Sequence, residues 1–367
     1  MQKPLAIAIS LGITGFLLLA LLLVFSPAEK VKPIEKKVEQ LTEEQYVAQH
    51  LAKMSQEDKV RQLFMWTVTG PSVSDEQLKQ IEALKPAGVM ISGSMNHTEL
   101  LMLTVRIRAL NTPEPLIISI DQEGGQVRRF TDDDLGNPRE MSVIDDETFC
   151  NDIRDSSRWL SELGVHLNFG IIADIAWTPE SVMYERSYGS DPGTVSKHVA
   201  EAIQCNTGVM TTVKHFPGHG RSQIDSHFAI PSIPLSYDEW KKTDAVPFKA
   251  AIQSNIDAVM MGHLIFPDIA SEPASLSPRF IKEVRDLGFR GIIITDDLGM
   301  LEAAGLPPAD SMKNALVAGN DILLYANTEA TPEDLTQQAI DFVKQQGIKE
   351  EELNEHVTRI LKMKFRL

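Results

Sequence analysis

Residues 214–227 read Lys-His-Phe-Pro-Gly-His-Gly-Arg-Ser-Gln-Ile-Asp-Ser-His, gathering three histidines, an aspartate and a lysine around a Pro-Gly-x-Gly turn. Two chemistries suit such a cluster. His215 and His219 stand four residues apart and Asp225 and His227 two apart, a donor set compatible with zinc or a binuclear centre. Histidines at that spacing share an ion when they lie on one helix, but Pro217 and Gly218 fall between this pair. Metal is therefore the lesser reading, and no metal ligand or cofactor is assigned. The other chemistry is proton transfer. An imidazole works as general acid or base near neutral pH when a carboxylate fixes its tautomer and supports its charge. Asp225 and His227, with Ser226 between them, are near enough for that contact in an irregular loop. An Asx turn is the plainer alternative.

A second carboxylate would complete the device. Asp296, first of the Asp-Asp pair at 296–297, is a candidate nucleophile. It would attack an acetal carbon while the His227 imidazolium protonates the leaving oxygen. Water then enters as the imidazole takes its proton, and configuration is retained. Glycosidases of the usual kind employ two carboxylates, so a histidine acid/base departs from that scheme.

These groups need a scaffold that brings them together. From about residue 60, apolar runs recur at 62–68, 87–93, 116–121, 165–175, 208–216, 257–266, 291–297 and 321–327. They are almost continuously hydrophobic, as strands buried on both faces are. Stretches of helical period lie between them, for example 75–86, 244–255 and 278–288. Eight alternations predict an α/β fold of the (β/α)8 barrel type. A doubly wound open sheet is the alternative, but no Gly-x-Gly-x-x-Gly turn follows an early strand. Asp121, Asp174, Lys214-His215, His263 and Asp296-Asp297 each close a predicted strand. In a barrel those ends converge on one mouth, so five polar strand ends predict a catalytic site there.

Composition narrows the partners. Lys and Arg number 35 against 51 Asp and Glu, a formal charge of −16, which disfavours nucleic acid as a partner. The two cysteines, Cys150 and Cys205, form no Cys-x-x-Cys pair, and each is read as a buried thiol rather than part of a disulfide or metal site. Leu5–Phe25 carries no charge. At about 1.5 Å per residue it is long enough to cross a hydrocarbon core of about 30 Å. A cleaved signal peptide is the alternative to a membrane-spanning anchor, but the run is longer than a usual signal core. Lys30, Lys32, Lys36 and Lys37 come after the span and only Lys3 precedes it, which favours a cytoplasmic location for the C-terminal part. The chain thus divides into an anchor or signal segment (1–28), a charged tether that turns helical at its end (29–48) and a catalytic domain (49–367). Thr42 with Gln45 and Ser55 with Asp58 are candidate helix caps. Near the C terminus, Leu353, Val357, Ile360 and Phe365 form an apolar face suited to packing on the barrel. The oligomeric state is left open.

Segments 120–130, 184–192, 214–227, 259–269, 273–300 and 315–325 together resemble glycoside hydrolase family 3, above all its single-domain β-N-acetylglucosaminidases of peptidoglycan turnover. The resemblance runs from about residue 50 to the C terminus, and Lys-His-Phe-Pro-Gly-His-Gly followed by Asp-Ser-His is its most specific part. It implies a nucleophile at Asp296 and an acid/base at His227 oriented by Asp225. It implies binding of the sugar by Asp121, Arg129, Arg186, Lys214 and His215. Asp297 is expected to accept hydrogen bonds and His219 to be structural. Arg129 has the plainer alternative of neutralising Asp132–Asp134, and Arg186 that of pairing with Glu185 or Asp191. Where many relatives have Asp-Thr after Gly-His-Gly, this chain has Arg221-Ser222. A cation there would suit a substrate carboxylate or a phosphate, which leaves phosphorolysis open beside hydrolysis. β-Glucosides remain an alternative substrate.

Overall fold

The computed structural model describes residues 41–367. Eight parallel strands form one sheet: β1 (Phe64–Thr69), β2 (Gly88–Ser92), β3 (Ile117–Ile120), β4 (Leu167–Ile172), β5 (Met210–Phe216), β6 (Ala258–Met261), β7 (Ile292–Thr295) and β8 (Leu323–Tyr325). Seven lie within one of the eight apolar runs, and β1 overruns the first, 62–68, by Thr69. Their order is β7-β6-β5-β4-β3-β2-β1-β8. The seam between β7 and β8 is bridged at Ile294 and Ile322, where the Thr295 N–H donates to the Ile322 carbonyl at 3.0 Å. The sheet is therefore a nearly closed barrel with its helices outside, as the alternating pattern predicts.

The strands are apolar because both faces are covered. One buried cluster surrounds β1, β2, β3 and β8, and a second fills the β4–β6 side. In the second, Phe216 at the end of β5 meets Trp240, Phe248 and Phe280 edge-on at 5.8, 5.1 and 6.2 Å between ring centroids. That packing holds the exit of β5, from which the histidine-rich loop departs.

Both expected caps are present. Thr42 and Gln45 close a capping box on helix Glu43–Lys53, and Ser55 and Asp58 do so on helix Gln56–Arg61. Tyr46 packs against Phe365 at 5.5 Å, and His50 meets Glu114 at 2.7 Å. In helix Glu350–Lys364 the face of Leu353, Val357 and Ile360 is wholly buried, whereas Phe365 caps the helix and is half-exposed.

One expectation is overturned. Cys150 and Cys205 are not free thiols: they form a disulfide between helices Asp146–Glu162 and Pro192–Cys205. A separation of 55 residues gives no sign of the pairing. These helices flank β4 as successive members of the outer ring, and only that arrangement brings the sulfurs together. The apolar span read over 5–25 and most of the tether lie outside the described residues. Among the described residues no helix is long and apolar enough to cross a membrane.

Candidate active site

The polar strand ends do meet. A cavity of about 260 Å³ opens at the C-terminal mouth of the barrel, and Asp121, Arg129, Arg186, Lys214, His215, Asp225, His227 and Asp296 all line it. All eight candidate residues are thus brought together, from β3, the loop after it, the loop after β4, β5 and its loop, and β7.

The floor is a network of paired charges. Lys214 Nζ lies 2.7 Å from both Asp121 Oδ1 and Glu123 Oε1. Arg186 donates to Glu123 through two nitrogens, at 2.8 and 2.7 Å, the two-pronged geometry a guanidinium makes with a carboxylate. Arg129 reaches Asp121 at 3.8 Å. Two of its three suggested partners are engaged elsewhere: the Asp133 carboxylate accepts from Gln122 and Ser156, and that of Asp132 from the His97 N–H. Nor does Arg186 pair with Glu185 or Asp191, since Asp191 caps helix Pro192–Cys205. Burial opposes the charge on Glu123, but Arg186 and Lys214 outweigh it and hold the carboxyl at about 2. The sequence reading missed Glu123. The available signal was a carboxylate two residues beyond Asp121, where the chain leaves β3.

Asp174 is a buried post. Its carboxylate accepts from the His215 N–H at 3.2 Å and the His219 N–H at 2.6 Å, and meets His215 Nδ1 at 2.7 Å. His215 Nε2 is thereby turned toward Arg186, at 3.4 Å. Burial would raise the Asp174 pKa, yet His215 and His219 keep it below the ordinary value.

Asp296 follows β7 directly. Burial works against its charge, but the imidazoles of His215 and His263, the Lys214 ammonium and the Asp297 N–H, which donates at 2.8 Å, hold it at about 2. Burial lowers the pKa of His263 itself. His263 is held between Ser275 Oγ, at 2.7 Å, and the Asp297 carbonyl, at 2.8 Å. Asp297 accepts from the Gly299 and Ala326 N–H groups at 2.9 and 2.8 Å, and burial raises its pKa to about 6. Both aspartates line the cavity, but they differ sharply in acidity, and Asp296 is the more firmly ionised.

The loop after β5 supplies the imidazole. At its start Gly220 passes so close to the Ile175 carbonyl that a Cβ would sit 2.0 Å from the oxygen, which only glycine avoids. Further on, the Asp225 carboxylate accepts the His227 N–H at 2.9 Å and meets His227 Nδ1 at 2.7 Å. The Asx contact and the carboxylate–imidazole pair are thus one structure. Burial acts to raise the Asp225 pKa, and the bonds to His227 lower it further than burial raises it. Asp225 thus takes Nδ1 of a ring that lines the cavity, and Nε2 is not part of that contact.

Arg221 does not line the cavity. Its guanidinium lies over the Trp177 ring at 4.2 Å and donates to Asp244 at 2.9 Å. A role in binding phosphate or a substrate carboxylate does not fit a group so engaged. The histidines expected to compete for a metal have separate partners, and among the described residues no three His, Cys, Asp or Glu side chains are grouped to hold an ion.

The family model for the glycosyl hydrolase family 3 N terminal domain matches residues 55–363. A beta-hexosaminidase of Stenotrophomonas maltophilia (strain K279a) is 36% identical over 248 residues, covering 64% of this chain and 73% of that protein. Among solved structures, a glycoside hydrolase family 3 beta-N-acetylglucosaminidase from Paenibacillus sp. str. FPU-7 matches 85% of this chain with a TM-score of 0.78 at 30% identity. A beta-glucoside phosphorylase bound to 2FGlc matches 89% with a TM-score of 0.81 at 25% identity. This chain spans 62% of each of those two proteins, less than two thirds of their length.

Proposed function

Because the chain belongs to glycosyl hydrolase family 3, we propose that it is a retaining exo-β-N-acetylglucosaminidase acting on glycans such as peptidoglycan fragments. The observation that carries this reading is that a partly buried, ionised Asp296 and the Asp225–His227 pair line the same cavity. An oxygen of Asp296 attacks C1 of the sugar. The bond to the aglycone breaks with its electron pair going to the leaving oxygen, which takes the proton from His227 Nε2. The product is a glycosyl-aspartate ester. A water then gives its proton to the neutral imidazole and attacks C1, and Asp296 departs as carboxylate. Asp225 fixes the His227 tautomer in both steps. Asp121, Arg129, Arg186, Lys214 and His215 hold the sugar's hydroxyl and N-acetyl groups.

Water is the favoured acceptor, because Asp244 and Trp177 engage the cation that would have recruited phosphate. Phosphorolysis would show as phosphate-dependent release of a sugar 1-phosphate. A metal-dependent hydrolase would lose activity on chelation. The decisive experiment uses a fluoro-sugar inactivator built on N-acetylglucosamine, followed by peptide mapping. The label is expected on Asp296, with Asp296→Ala inactive toward an aryl N-acetyl-β-glucosaminide. A label on another carboxylate overturns the assignment, and faster turnover of the aryl β-glucoside overturns the sugar preference.

We also propose that Leu5–Phe25 anchors the chain in a membrane, with the catalytic domain on the oxidising side. The Cys150–Cys205 disulfide supports that side, since such bonds are rare in reducing cytosol. It counts against the cytoplasmic placement favoured by the lysines after the span.

A further inference from the structure

The Asp225–His227 pair projects into solvent, its side chains 44% and 64% exposed, on a stretch with few ties to the barrel. Before it, the Ser222 carbonyl accepts from the Val182 N–H at 3.1 Å; after it, the Pro231 carbonyl accepts from the Ile265 N–H at 2.9 Å. Between those points the hydrogen bonds of Ile224, Asp225, His227, Phe228 and Ala229 all stay within the loop. Ser226 differs. Among the described residues of 223–230 it is the one whose side chain bonds to the cavity floor, its Oγ 3.1 Å from His219 Nε2. Both are buried, at 6% and 4% exposure, although Ser226 separates two exposed residues. The His219 backbone is fixed in turn, because its main-chain N–H donates at 2.6 Å to the Asp174 carboxylate that also holds His215. Burial, with His215 nearby, lowers the His219 pKa, so a neutral ring faces the serine.

We infer that Ser226 and His219 are positioning residues: His219 is a post fixed by Asp174, and the Ser226 tie sets how far His227 reaches over the sugar held by the His215 side of the same post. The inference rests on His227 being the acid/base. Its physical basis is that proton transfer demands hydrogen-bond reach to the leaving oxygen, and a displacement of about 1 Å can cost about a hundredfold in rate. A serine between two exposed catalytic groups has no packing reason to be buried. A tie to a buried imidazole whose backbone is anchored supplies one.

The test is kcat/KM of the full chain on two N-acetyl-β-glucosaminides, one with a sugar aglycone that needs its leaving oxygen protonated and one with a nitrophenyl aglycone that scarcely does. Ser226→Ala is expected to lose about ten- to a hundredfold on the first and markedly less on the second. Ser226→Thr, which keeps the hydroxyl, should recover most of the loss. His227→Ala is the reference and should show the same asymmetry, enlarged. If His227→Ala is asymmetric while Ser226→Ala falls equally on both substrates or on neither, the positioning role is overturned. It is likewise overturned if Ser226→Thr behaves as Ser226→Ala. If His227→Ala itself damages both substrates equally, the acid/base assignment of His227 fails first and takes this inference with it.

Discussion

Glu123 illustrates how one carboxylate organises several cations. It has no exposed side-chain surface and meets Lys214 and both prongs of Arg186, while Asp121 takes the remaining reach of Lys214. Breaking a buried pair by removing one partner is costly, about 3–5 kcal/mol, because the other charge stays behind unpaired. Glu123→Gln preserves the shape and removes the charge. The expected outcome is a KM for an aryl N-acetyl-β-glucosaminide raised about tenfold or more, with a smaller change in kcat, because the cations proposed to hold the sugar lose their alignment while Asp296 and His227 remain. Steady-state kinetics decides this, and an unchanged KM would mean that Lys214 and Arg186 are held well enough without Glu123.

At the scale of elements, the site depends on segments that are not strands. The loop after β5 carries the imidazole, the loop after β3 carries Glu123 and Arg129, and the loop after β4 carries Arg186. Helices on either side of β4 are joined by Cys150–Cys205, which closes a loop with a sequence separation of 55. On a chain-entropy account such a crosslink stabilises by about 4 kcal/mol, and less where the reduced chain keeps structure. Cys150→Ser or full reduction should therefore lower the unfolding free energy by roughly 2–4 kcal/mol in a denaturant titration. Arg186 lies between the two cysteines in the chain, so the same change should loosen the proposed sugar site before it unfolds the barrel. An unaltered denaturation midpoint under reductant would rule out a stabilising bond.

At the scale of the molecule, the last helix meets the segment before β1 at a buried lysine. Lys364, in the last helix, is 2% exposed and donates to Gln62 Oε1 at 2.6 Å. Burial depresses its pKa from 10.5 to about 7, with Glu114 opposing weakly. The folded protein thus sheds a proton that the unfolded chain keeps between those values. This group's cost to stability is full below pH 7 and disappears as pH rises through 10.5. Lys364→Met is expected to raise the melting temperature at pH 7, with a gain that shrinks toward pH 10. Asp321, held at about 2 against burial by His356, Arg359 and Arg285, has the opposite sign: its stabilisation is present above 3.8 and lost as pH falls toward 2. Calorimetry across both ranges measures these slopes. A melting temperature for Lys364→Met that tracks the wild type at every pH would show the lysine to be charged and hydrated in the fold.

The eight strands and the polar residues at their ends were legible in the sequence for a local reason, whereas Arg129 and Arg186, which stand in loops, were named only through the family resemblance. A strand buried on both faces must be apolar along its length, and the residue that leaves the sheet must change character. Helix caps at Thr42 and Ser55 were legible because a capping box spans four residues. What the sequence left open depends on which distant segments become neighbours. Cys150 finds Cys205 because two outer helices flank one strand, and Arg221 is occupied by Trp177 and Asp244, which spacing does not reveal. Glu123 gathers cations from β5 and from the loop after β4, and Ser226 is buried against His219. Residue type supplied the chemistry of this site, and chain closure chose the partners, because hydrogen bonds and ion pairs form between groups a few ångströms apart whatever their separation in the chain.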